Sequence, residues 1–152
     1  MLSGSVRFAA LWGKWLWRRR AAGRPAAPLL RLAVAPRSLG PAWHPAKGAD
    51  GAAMLHVVME LEGRNMTDRD IRIAAARLRD HAVERANVTV GPAGAGPAIR
   101  ETAIPAQGRA RIAIMFLMKA PSLRPGEAFA DVLLVGDRDG REHPLKVIVR
   151  GR

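Results

Sequence analysis

The chain is predicted to be all-β, an antiparallel β-sandwich over residues 29–152 preceded by a basic arm and linker over 1–28. Three observations point there. Short apolar segments repeatedly alternate with a period of two, the residue spacing that puts one face of a strand inward. Clusters of Pro, Gly, Asn and Asp separate these segments at regular intervals, as in sandwiches and barrels. The charge also changes abruptly: nine Lys or Arg and no acid precede Asp50, so this stretch supplies most of the formal net charge of +12. A cationic arm joined to a nearly balanced body is the arrangement this implies.

Within the arm, Phe8, Leu11, Trp12, Trp15 and Leu16 recur at helical spacing, with Arg7, Lys14 and Arg18 on one flank. A short amphipathic helix is expected, capped by Ser3 or Ser5, with Trp17 off the stripe. Phe8, Leu11, Trp12, Trp15 and Leu16 suit a lipid interface, and Lys14, Arg18, Arg19 and Arg20 suit its phosphates. Ala21 to Pro28, rich in Ala, Pro, Gly and Arg, reads as a linker that stops the helix. The same acid-free composition also describes an organellar transit peptide. The arm fits a secretory signal poorly, because Lys14 interrupts the apolar stretch and the arginines follow it when they should precede it.

Leu29 to Ala35 alternates and ends at Pro36, which predicts a first strand. Ser38 to Gly51, with two prolines and three glycines, predicts a long loop carrying Trp43 and His44. Met54 to Leu61 predicts a strand with Leu55, Val57, Met59 and Leu61 on its apolar face. Two readings compete after the Asn65 to Arg69 turn. The content and spacing of Asp70 to Ala86 favour a helix, whereas the alternation of Ile71 and Ile73 favours the return strand of a hairpin. A short apolar stretch at Val88 to Val90 runs into a flexible loop at Gly91 to Pro97, and Ile99 to Ile104 predicts a short strand. Arg109 to Met118 is apolar on both faces and predicts a central strand. Phe129 to Val135 and Leu145 to Arg150, joined across Gly136 to Gly140, predict a terminal hairpin.

Residues 50–150 thereby resemble bacterial immunoglobulin-like or fibronectin-like sandwich modules. The likeness lies in an apolar strand entering the turn Glu62-Gly-Arg-Asn-Met-Thr-Asp68, followed by Ile71 and Ile73. Ile104-Pro105 with Gln107 and Gly108 ahead of a strongly apolar strand, and the last hairpin across an Asp-rich turn, complete it. The resemblance implies a fold with function in loops or exposed edges, and it carries no catalytic residues. The Cys, Trp and Cys spacing of antibody domains is absent.

Candidate chemistry is sparse. With no cysteine, thiolate chemistry and disulfides are excluded, and a metal would need His and carboxylates. His44, His56, His81 and His143 show no ligand spacing, and Asp137, Asp139 and Gly140 read as a turn in preference to a calcium loop. Asn65-Met-Thr67 and Asn87-Val-Thr89 match the glycosylation pattern by chance, and the glycines from 91 to 96 lack the Lys and Ser or Thr of a phosphate loop. Neither a catalytic grouping nor a cofactor is expected. The longest strongly apolar run, Ile112 to Met118, is strand-sized and far short of a spanning helix. The expectation is a non-enzymatic module that contacts an unidentified protein partner, cytoplasmic or attached peripherally to an anionic membrane through Phe8 to Arg20. The alternatives are nucleic-acid binding by the arm, or organelle import with a cleavable leader.

Overall fold

The computed structural model describes residues 27–93, 103–119 and 122–152. Among them there is no helix. Nine strands follow in chain order: β1 Leu30–Val34, β2 Ala42–Lys47, β3 Ala53–Asn65, β4 Ile71–Leu78, β5 Arg85–Pro92, β6 Ala103–Ile104, β7 Arg109–Lys119, β8 Ala128–Asp137 and β9 Glu142–Gly151. They are hydrogen-bonded in the order β5-β7-β3-β2-β9-β8-β4-β6, and β1 pairs with β3 beyond the end of β2.

The sheet is mixed, not wholly antiparallel. Every pairing is antiparallel except that of β2 with β9, confined to Ala42 with Arg150 and Trp43 with Gly151. The two ends of the sheet curl toward each other, bringing β4 against β5 without hydrogen-bonded pairing, so the fold approaches a closed barrel.

The long strands β3 and β7 pair over eleven positions, from Met54 with Lys119 to Arg64 with Arg109. Their alternation is strict: Leu55, Val57, Met59, Leu61, Ile112, Ile114, Phe116 and Met118 are all buried. Phe129, Leu133, Val135, Val147 and Val149 from β8 and β9 meet them across the interior, with Leu78 from β4. A fully buried side chain of this kind contributes about 1.5–3 kcal/mol, and this cluster is the main source of stability.

Three expectations need correction. The predicted loop from Ser38 to Gly51 contains β2. Its prolines and glycines suggested irregular chain, yet Pro45 lies past the two residues paired with β9, on the edge of the sheet, where a missing N–H leaves no ladder bond unmade. Trp43 is therefore a core residue, buried against Gly151, and its indole Nε1 donates to the Glu127 carbonyl at 2.7 Å. The helix reading of Asp70 to Ala86 fails because Ile71, Ile73, Ala76 and Leu78 are wanted inside at strand spacing. The strand reading holds, since Ile71–Leu78 is β4, but its hairpin pairing does not. β4 does not return along β3 but crosses over to pair with β8, with an irregularity between Ile73 and Ala75.

Elsewhere the boundaries shift modestly. β3 extends four residues past Leu61, and Gly91 and Pro92 belong to β5. The rest of the predicted loop at Gly91 to Pro97 lies mainly outside the described residues, as does the expected strand at Ile99 to Ile104 apart from Ala103 and Ile104.

Candidate interaction surface

The buried polar groups are committed to structure. Asn65, fully buried at the end of β3, donates from Nδ2 to the Arg69 and Ile104 carbonyls at 2.6 and 3.0 Å. Its Oδ1 accepts from the Thr67 amide and hydroxyl at 2.9 and 2.7 Å. That network folds the 65–70 turn and fastens β6 to it, and it removes Asn65 from any acceptor role in glycosylation.

Two His–Asp pairs sit at opposite ends of β8. Asp131 is buried and lies 2.6 Å from His81 Nδ1, while also accepting from the Asp80 and Val132 amides. Burial pushes its carboxyl upward, but the bonds from His81, Asp80 and Val132 outweigh burial and hold it below the ordinary range. Asp137 lies 2.8 Å from His143 Nε2 and accepts from the Asp139 and Arg141 amides. Burial again opposes, and the His143 and backbone bonds again prevail, so its carboxyl also titrates low. Oδ1 of Asp137 is thus occupied by turn amides, as turn chemistry predicts, and Oδ2 by His143 of β9. His44 and His56 face each other across β2 and β3 with ring centroids 6.5 Å apart, without a third ligand. Among the described residues no three His, Cys, Asp or Glu side chains converge as a metal site would require.

The surface with unassigned chemistry is the outer face of β1, β2, β3, β7 and β5. Register alone arranges it in rows, because residues opposite one another in a ladder share a face. One row is His44, His56, Leu117 and Arg85; the next is Ala42, Val58, Met115 and Asn87. Glu60, Ala113 and Thr89 follow, and then Ala33, Glu62, Arg111 and Gly91. Arg31, Arg64 and Arg109 form the last row.

The face thus carries an apolar patch around Met115 and Leu117, with His44, His56 and Arg85 beside it, and a purely cationic row at its other end. At its apolar end Met115 is 44% exposed and Leu39, from the connection between β1 and β2, is 84% exposed. A shallow open groove of about 450 Å3 runs between the Arg37 to Gly40 connection, Val58 and Met115. Arg37 holds positive φ there, and Arg152 donates to the Leu39 carbonyl at 2.6 Å. In the middle, Glu60 pairs with Arg111 at 2.9 Å and Glu62 with Arg109 at 3.6 Å. These are exposed pairs of small energetic weight.

All the residues expected at a membrane, Phe8, Leu11, Trp12, Lys14, Trp15, Leu16, Arg18, Arg19 and Arg20, lie outside the described residues. Among the described residues no helix is long and apolar enough to cross a membrane. Sequence reading missed the Arg31, Arg64 and Arg109 row because these residues are 33 and 45 positions apart in the chain, and only strand register makes them neighbours. No protein-family model matches the chain, and comparison with curated proteins finds no match.

Proposed function

We propose that the chain is a non-enzymatic interaction module with an immunoglobulin-like sandwich body, held peripherally at an anionic membrane by its arm. The observation that carries the interaction role is the exposed apolar end of the outer face. Leu39, Val58, Met115 and Leu117 cluster where a strand surface needs no burial, while every buried side-chain polar atom among the described residues has a hydrogen-bond partner. Polar groups spent on internal bonds are unavailable for chemistry, whereas apolar groups left in water favour association.

The strand order supports the sandwich. β1, β2, β3, β7 and β5 make one antiparallel group and β9, β8, β4 and β6 the other. Two paired residues of β2 and β9 join the groups, and the β4 and β5 edges are unbonded to each other. Two packed sheets sharing one corner would have this connectivity. An experimental structure with a continuous β4–β5 ladder would replace the sandwich by a true barrel.

The functional reading is tested on the full chain in two ways. A protein captured from native extract by the wild type should be lost with Met115→Glu and retained with Asp139→Asn, on the far turn; equal capture by both variants rejects the face. Flotation with phosphatidylserine vesicles should fall for Trp12→Ala/Trp15→Ala and be absent with neutral lipid, and unchanged recovery rejects the arm.

A further inference from the structure

We infer that Arg31, Arg64 and Arg109 form a second lipid-binding site, a planar row on the sheet that sets the body down on the anionic surface reached by the arm. This deepens the membrane reading above and rests on the same lipid partner.

The row is a direct consequence of register. Arg31 opposes Arg64 across β1 and β3, and Arg64 opposes Arg109 across β3 and β7, so three guanidinium groups project from one face. Adjacent strands lie about 4.8 Å apart, which makes the row about 10 Å long. Like charges directly opposite one another weaken a sheet, and the interior requires none of them. All three are exposed. Among the described residues neither Arg31 nor Arg64 has an acid within ion-pair distance, and Arg109 has only Glu62, at 3.6 Å. Asp68 and Asp70 occupy the neighbouring turn with Arg69 between them; Asp70 is bonded to the Ala106 amide, and neither makes an ion pair with the row.

The surroundings select the ligand. On the strand line of Arg31, two residues before it and on the same face, Leu29 is 37% exposed, giving an apolar contact beside the cations. Pro28 lines a shallow groove with Arg31 and Arg64, so the cationic first 26 residues join the body at this end of the face. Phosphate headgroups in a plane match a flat row with an apolar flank. A single free phosphate is matched poorly, because at the centre of the row β3 is paired on both sides and has no backbone amide to offer. Nucleic-acid bases are matched poorly too. Trp43, Phe116 and Phe129 are buried, so among the described residues no Trp or Phe lies on this face for a base to stack on.

The test is vesicle co-sedimentation of the full chain on phosphatidylserine-containing and on neutral vesicles. Near an anionic leaflet each cation is worth about a fivefold change in partitioning, so Arg31→Gln/Arg64→Gln should bind roughly tenfold or more weakly to the anionic vesicles. Glu62→Gln, which removes the acid beside the row, should bind a few times more tightly, an effect that misfolding does not imitate. Thermal midpoints of both variants should stay near the wild type. Arg18→Gln/Arg19→Gln/Arg20→Gln separates the two sites. If it loses binding while both the row double variant and Glu62→Gln match the wild type, the row is overturned and the arm stands. If the row variants respond and the arm variant does not, the arm reading falls alone. Displacement by inorganic phosphate, or by a DNA oligonucleotide that competes as well as lipid, overturns the lipid assignment.

Discussion

The two faces of β3 and β7 are built from the same strands at alternating positions and behave as different materials. Inside, every alternate residue from Leu55 to Leu61 and from Ile112 to Met118 is aliphatic or aromatic and excluded from water. Outside, the interleaved residues pass from His56 and Val58 through Glu60 and Glu62 to Arg64. The inner face is constrained by packing, so its composition is uniform. The outer face is not bound by that packing, so its residue types vary along the strands.

The sharpest way to expose this difference is to remove one inner ring. Phe116 is wholly buried at the centre of the cluster, and Phe116→Ala should cost about 3–5 kcal/mol in denaturant unfolding. A loss under 1 kcal/mol would mean that the interior relaxes freely and that the contrast between faces is false.

Next in size is Asn65→Ala, where the inner face ends in a polar knot. The substitution orphans the Thr67 amide and two carbonyls in a buried site, for an expected cost of about 2–3 kcal/mol. Comparable is Gly151→Ala, because a Cβ there would stand 2.6 Å from the Trp43 ring. Overpacking of this order costs about 1–3 kcal/mol. Its loss should shrink when Trp43 is also changed to Leu, a coupling that a double-mutant cycle reads directly.

These residues show how far the sequence was legible. Period-two alternation identified β3, β7, β8 and β9 because each has one face fully inside, and burial dictates residue type there. β2 was hidden because Pro45 and the flanking glycines are turn formers locally, and Pro45 is tolerated only because β2 has no second partner there. β4 was ambiguous because Ala74, Ala75 and Ala76 satisfy helix propensity, while the partner that makes them a strand, β8, lies more than fifty residues away. The cation row was invisible for the same reason: it is a property of pairing between strands, not of any segment. The arm was the most conspicuous feature of the sequence and falls outside the described residues.

A smaller, pH-dependent effect comes from the two buried carboxylates of β8. Asp131 and Asp137 titrate below the ordinary carboxyl range when folded. A carboxyl depressed in this way stabilises the fold above its unfolded pKa of about 3.9 and loses that contribution as pH falls through the folded value. Unfolding free energy should therefore fall with acidification below about pH 5, and Asp131→Asn should flatten that decline while lowering stability at neutral pH. A wild-type profile with no such decline would show that these carboxylates hold their bonds no better folded than unfolded.

The smallest expected change is on the outer face, and its smallness is the point. Met115 is nearly half exposed and opposes Val58 and Asn87 in the ladder. Met115→Gln keeps its length and removes only apolar surface already in contact with water, so stability should shift by no more than about 0.5 kcal/mol. Partner capture, if it uses this end of the face, should fall severalfold. A residue whose removal is silent in unfolding and loud in binding is under a demand that the interior does not make. If instead Met115→Gln destabilised the fold as much as an inner substitution, the apolar end of the outer face would belong to the core, and the cation row would be the only part of that surface left to meet a partner.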